Sequence, residues 1–238
     1  IYILFSRGDV IMMGRNSLDC FFIKQDKINI ETETETEIIL SGTYILKAKH
    51  NKIFLSKNYE IEITINKNYP NNIPKVFIKE KNRYKDYEHI YSDGELCLGT
   101  PSDLYDIALK NDINEFLVKT LDSFFYTLTY YYKYNGQYPY GERSHGTLGV
   151  LSYWMDKFNL ESVESTLALM KIIALNNYRG HYPCPCNSDK KIRNCHGPLI
   201  LETLKDGFSP IVKTEILLIK KEMSYLNEYR RKINSTSR

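Results

Sequence analysis

Residues 53–65 are rich in β-branched side chains, and apolar and polar residues alternate cleanly over the end of the stretch. Tyr59, Ile61, Ile63 and Ile65 fall on one face, and Glu60, Glu62 and Thr64 on the other. A period of two marks a strand with one face on a core and one in water. Residues 38–48 are similarly rich in β-branched side chains and predict another strand. Ahead of them, residues 31–37 alternate Glu and Thr, which separates acids and threonines onto opposite faces. That run predicts a solvated edge strand, protected from self-pairing by its charge. Val76, Phe77 and Ile78 predict a short fourth strand after a turn at Asn71, Asn72, Ile73 and Pro74. The four form an antiparallel meander, and residues 1–110 as a whole read as strands and turns.

The period then lengthens. Ile113, Leu117, Leu121, Phe124 and Leu128 recur at steps of three and four, one stripe of a helix. Asp112 followed by Glu115 has the form of a capping box at its start. Residues 130–140 read as an aromatic-rich loop. A second helix is predicted over 161–176, with Val163, Leu167, Met170 and Ile173 inward. The last helix opens with Ser209 as N-cap and Pro210 in the first turn. Its stripe of Val212, Ile216, Ile219, Met223 and Leu226 has near-heptad spacing. That predicts docking on the protein's own body, with a dimer coiled coil as the alternative because the seam is too short to be diagnostic. The predicted class is α+β, with a sheet-based domain over 1–158 and a mainly helical extension over 159–238.

Composition narrows the options. The chain has 238 residues and 28.0 kDa, with 42% hydrophobic and 26% charged residues, which excludes a fibrous or wholly disordered protein. A net charge of +3 is too mild to argue for nucleic acid as a partner. The apolar opening is interrupted by Ser6, Arg7, Gly8 and Asp9, so it reads as neither a signal core nor a membrane span. A cytoplasmic location and no membrane partner are the expectations. Of five cysteines, Cys184, Cys186 and Cys195 crowd together, and clustered thiols in that setting favour metal or catalytic use.

The most informative window runs from Tyr69 to Thr100. It begins YPNNIPKVFI and ends YEHIYSDGELCLGT. Cys97 sits there on a loop before a helical region, with Gly94 allowing a tight backbone path. A thiolate is the best side-chain nucleophile near neutral pH. Over roughly residues 36–130 the chain resembles the ubiquitin-conjugating enzyme family. That family's core has a meander, a Tyr-Pro-x-x-Pro-Pro-x-Val turn, and a His-Pro-Asn tripeptide. Its nucleophilic cysteine lies eight residues after the Asn, within Gly-x-Ile/Leu-Cys-Leu. Tyr69, Pro70, Pro74 and Val76 match the first part, and Gly94, Leu96, Cys97 and Leu98 the second. The resemblance implies a four-stranded meander with flanking helices, and Cys97 carrying an acyl group as a thioester.

The chain also departs from that pattern. Tyr87-Glu88-His89 replaces His-Pro-Asn, so His89 stands where the resemblance places the oxyanion-supporting Asn. An imidazole N–H can donate to a tetrahedral intermediate, and it can also act as a base toward an attacking amine. Glu88 and Asp93 are candidates to orient it. Residues 1–30 show no basic amphipathic helix of the kind that docks the family's activating enzyme. Further on, His145 in the segment GERSHG is a third catalytic candidate.

The second constellation is HYPCPCNSDKKIRNCHGPL, in which Cys184, Cys186, Cys195 and His196 supply four S/N donors over 182–198. Four such donors read as a closed structural Zn²⁺ site. The spacing and the Ser-x-Lys-Lys between ligands resemble the SEC-C metal-binding motif. Asn187 and Asp189 replace its two glycines, and both tolerate glycine-like turn conformations. Lys190, Lys191 and Arg193 make the knuckle basic, yet three charges bind phosphates weakly.

Taken together, the expectation is an enzyme: a conjugating-like acyl carrier on Cys97, braced by structural Zn²⁺. Its partner would be a protein whose C-terminal carboxyl is carried on Cys97. Prokaryotic relatives imply a setting in antiphage defence, such as a short CBASS operon, with a CD-NTase cyclase or a ubiquitin-like protein as the cargo. The alternative is a non-catalytic partner-binding module of the same fold.

Overall fold

The computed structural model describes residues 15–141 and 146–236, with side chains at 17–141 and 146–224. Contacts divide the chain into two compact units, Ile1–Gly99 with Leu104–Glu142, and Thr100–Asp103 with Arg143–Arg238.

The first unit holds the expected antiparallel meander. Its strands are β1 (Ile28–Glu33), β2 (Glu37–His50), β3 (Ile53–Asn66) and β4 (Lys75–Ile78), in that spatial order. Ile38 pairs with Ile65, Leu40 with Ile63 and Tyr44 with Tyr59, which stacks the apolar faces of β2 and β3 in register. All six side chains are buried. The Glu/Thr run is not one strand. Thr34 Oγ1 accepts from the backbone N–H groups of Thr36 and Glu37, so residues 34–36 turn the chain from β1 into β2. A threonine hydroxyl that binds its own backbone competes with strand pairing, and here it wins.

Helix α1 (Asp19–Lys24) buries Phe21 and precedes the sheet. Helix α3 (Ile113–Lys133) covers the sheet with its apolar stripe. Ile113, Leu117, Leu121, Phe124 and Leu128 are all buried, at about 1.5–3 kcal/mol for each large apolar side chain. Asp112 caps it, accepting from the Glu115 N–H at 2.9 Å. Two tyrosines tie sheet to helix. Tyr44 Oη donates to Asp122 Oδ1 at 2.7 Å, and Tyr59 Oη bonds Thr129 Oγ1 at 2.7 Å while its ring stacks on Phe125 at 4.3 Å. The helix continues to Lys133, into the stretch expected to be a loop. Each added turn continues the backbone ladder, and Tyr130 and Tyr131 pack half-buried against the core while Tyr132 stays exposed.

Between sheet and α3 lies α2 (Pro101–Lys110), a helix inside the region read as strands and turns. Tyr105 and Ala108 are buried along it, and Leu104 and Ile107 pack half-buried against the core.

The second unit is helical: α4 (Gly146–Phe158), α5 (Val163–Ala174), α6 (Gly197–Lys205) and α7 (Ser209–Thr236). Its core includes Trp154, Phe158, Leu169, Met170, Ile173, Phe208 and Val212. Within it, the Glu215 carboxylate is fully buried and accepts from Ser102 N–H, Ser102 Oγ and Trp154 Nε1 at 3.0, 2.7 and 2.9 Å. Three expectations are corrected here. Val163 is exposed, because Ser162 caps the helix and leaves Val163 in an open first turn. Met223 is also exposed, while Val212, Ile216 and Ile219 are buried. Ser209 is not the cap of α7, since Val212 N–H bonds Phe208 O and Ser209 Oγ donates to Ile173 O.

Among the described residues, no helix is long and apolar enough to cross a membrane.

Candidate functional site

Cys97 lies at the end of a tight hairpin that extends the sheet beyond β4. Leu96 N–H bonds Val76 O at 2.8 Å and Ile78 N–H bonds Gly94 O at 2.9 Å, which lays residues 94–96 along β4. The chain reaches that position through a turn in which Gly94 N–H bonds Tyr91 O and Asp93 Oδ1 accepts from Glu95 N–H. Gly94 is required there. Its φ is +97°, and a Cβ would stand 2.9 Å from Ile78 O. Asp93 is thus engaged in the turn.

Across the hairpin, Ile90 bridges Leu96, Tyr91 N–H bonds Glu95 O at 2.9 Å, and Cys97 N–H bonds His89 O at 2.9 Å. Side chains alternate across such a ribbon. Ile90 and Leu96 turn inward, Leu96 into the core. His89, Tyr91, Glu95 and Cys97 therefore share the opposite face, with His89 directly across from Cys97. Directly opposed residues carry Cβ atoms about 5 Å apart. The Cys97 side chain is half-buried, so its sulfur is neither sealed nor fully solvated.

Tyr91 belongs to this face, although no motif marks it. Its phenol interacts with the Cys97 thiol, and this interaction, followed by burial and the Glu95 and Asp93 charges, pushes its pKa up to about 12. Its place was legible only from the hairpin register, two residues beyond His89 on one strand and across the turn at Ser92 and Asp93 from Glu95. The His89 ring is flanked by Tyr87 at 5.3 Å and Tyr138 at 6.1 Å. Burial raises the Tyr87 pKa above the ordinary phenol value, so it stays neutral. Lys75 pairs with Glu95 at 3.4 Å. His145 lies outside the described residues.

The second cluster sits in the helical unit. Cys184, Cys186, Cys195 and His196 each present one donor atom, and all four lie within 4.8 Å of one another. Cys184 Sγ is 3.2 Å from His196 Nδ1, Cys195 Sγ is 3.3 Å from the same nitrogen, and Cys186 Sγ is 3.4 Å from Cys195 Sγ. A Zn²⁺ tetrahedron with its usual bond lengths has edges of about 3.5–3.8 Å, so the set fits with small adjustments. His196 Nε2 faces Phe158 O at 2.9 Å. A carbonyl can only accept, so Nε2 carries the proton and Nδ1 turns its lone pair toward the sulfurs.

The local fold supplies the rest. Asn187 and Asp189 adopt φ of +60° and +58°, the glycine-like turn conformation their positions require. Residues 183 and 191 bridge, and Ile192 is buried beneath. Burial pushes the Cys184 thiol up to about 11. At Cys186 burial works the same way, but hydrogen bonding with Ser188, Cys184 and Cys195 outweighs it and brings the thiol down to about 6. Together the four residues can bind a metal ion.

Comparison with protein-family models, with curated proteins and with solved structures gave no match to this chain.

Proposed function

We propose that this protein is a ubiquitin-conjugating-like acyl carrier. The Cys97 thiolate attacks a partner protein's activated C-terminal carbonyl, expels its leaving group and holds the acyl group as a thioester. An incoming amine then attacks the thioester carbonyl, loses a proton and leaves as an amide, and the sulfur departs as thiolate. His89 donates to the oxyanion that develops in each step, where a preorganised donor is most effective. Tyr91 donates to the sulfur while it carries charge.

The observation that carries this reading is the shared face of Cys97, His89 and Tyr91 on a hairpin against a four-stranded antiparallel meander. The sequence resemblance supplies the reaction class and the antiphage setting, with a CD-NTase cyclase or a ubiquitin-like protein as cargo. Zn²⁺ is the metal assigned to the Cys/His cluster. Three thiolates and one imidazole suit it, and with no fifth donor in the set its role is to hold the knuckle's fold. Iodoacetamide labelling of the zinc-loaded protein tests the catalytic reading. Rapid, selective modification of Cys97 is expected, whereas an inert Cys97 favours the non-catalytic binding module.

A further inference from the structure

Tyr84 Oη is the one buried side-chain polar atom among the described residues that has no hydrogen-bond partner. Tyr84 belongs to the first unit and is 2% exposed. Two cations stand over its ring: Lys57 Nζ at 5.2 Å from the centroid and Arg83 Cζ at 5.8 Å. Lys57 comes from β3 in the register of Leu55 and Tyr59, the core-facing side, and is half-buried there. Its Nζ also lies 5.3 Å from the Tyr59 ring, so two aromatic faces hold the ammonium in place. No ion pair or hydrogen bond reaches Lys57 Nζ among the described residues.

The groups gathered here are an ammonium, a guanidinium and a phenol, all of which can donate. Tyr59 Oη is already engaged with Thr129. The acidic group beside them is Glu80, which touches Arg83 at 3.5 Å through two exposed side chains. A loose surface pair of this kind is weak and leaves the guanidinium available. Two cations and a phenol that share a single exposed carboxylate are matched by an anion rich in lone pairs.

We infer that Lys57, Arg83 and Tyr84 form an oxyanion site for a phosphate group, carried either as the free ion or as a monoester. The half-buried ammonium supplies a point charge, Arg83 its planar fork from the solvent side, and the phenol a hydrogen bond from beneath. The lowered pKa of Lys57, caused first by burial and then by Arg83 and opposed by Glu80, agrees with a half-buried ammonium crowded by a second cation. Nothing in this site depends on Cys97 or on the metal cluster.

Calorimetric titration of the full chain with inorganic phosphate, at ionic strength held constant with chloride, tests the site. Saturable binding at one equivalent is expected. Lys57→Met keeps the apolar stem and removes the charge, and it should weaken binding about tenfold or more. Tyr84→Phe removes only the hydroxyl and should weaken binding several-fold. In phosphate-free buffer Tyr84→Phe should be at least as stable as the parent, since it deletes an unpaired buried group. Phenyl phosphate binding as tightly as phosphate assigns a monoester site, and its exclusion assigns the free ion. Absence of saturable phosphate binding, or equal binding by Lys57→Met, overturns the inference. So does acetate binding as tightly as phosphate.

Discussion

The Cys97 N–H donates to the His89 carbonyl at 2.9 Å, so the backbone itself sets the thiol and the imidazole opposite each other. Because this bond involves no side chain, substitutions at His89 leave the hairpin in place. His89→Ala should therefore slow acyl transfer from loaded Cys97 on the order of a hundredfold. His89→Asn, which retains an N–H donor, should stay much closer to the parent. Single-turnover discharge to an amine measures both, and equal rates in parent and His89→Ala would remove the imidazole from the chemistry.

Tyr91 stays protonated through neutral pH, with its pKa pushed up to about 12 first by its interaction with Cys97. A phenol that donates to sulfur stabilises the thiolate. Tyr91→Phe should thus reduce the rate of Cys97 alkylation by iodoacetamide at pH 7 by roughly tenfold. An unchanged rate would mean that the phenol does not reach the sulfur in solution.

The metal cluster is expected to take up one equivalent of Zn²⁺, lost in Cys195→Ser. Trp154, the single tryptophan, stacks on Phe158 at 5.3 Å, and the Phe158 carbonyl faces His196. Its fluorescence should report the cluster directly. Chelation should redshift the emission and lower the unfolding midpoint of the helical unit, since bound Zn²⁺ can contribute on the order of 10 kcal/mol to local folding. Fluorescence indifferent to chelation would contradict a structural role for the metal.

The meander, the α3 stripe and the four-donor cluster were legible because each rests on a local pattern: alternation in β3, a step of three and four in α3, close spacing at 184–196. What escaped depended on contacts distant in sequence. Tyr91 gains its meaning from Cys97 only through the hairpin register, and the helical step of α2 at Leu104, Ile107 and Ala108 spans little more than one turn. Ser209 offered good cap chemistry but spends its hydroxyl on Ile173. Thr34 did the reverse, making a turn where alternation pointed to a strand.

Burial raises the Glu215 carboxyl above its ordinary value of 4.5, while hydrogen bonds from Trp154 and Ser102 act the other way. The folded state therefore holds that proton more tightly than the unfolded chain does. Its stabilising contribution is complete below 4.5 and is lost as pH rises through the raised folded value. Urea unfolding followed by Trp154 fluorescence from about pH 4 to 8 should show the parent losing stability relative to Glu215→Gln across that window. Parallel pH profiles for the two proteins would mean that this carboxyl titrates normally.

The most direct test is intact-mass spectrometry under non-reducing conditions of Cys97 and Cys97→Ala proteins captured with their cellular partners. The parent should carry a mass increment equal to the carried protein partner less water, released by hydroxylamine or excess thiol and absent from Cys97→Ala. An adduct that persists in Cys97→Ala, or a parent that never acquires one while its partner is bound, would contradict acyl carriage by this sulfur.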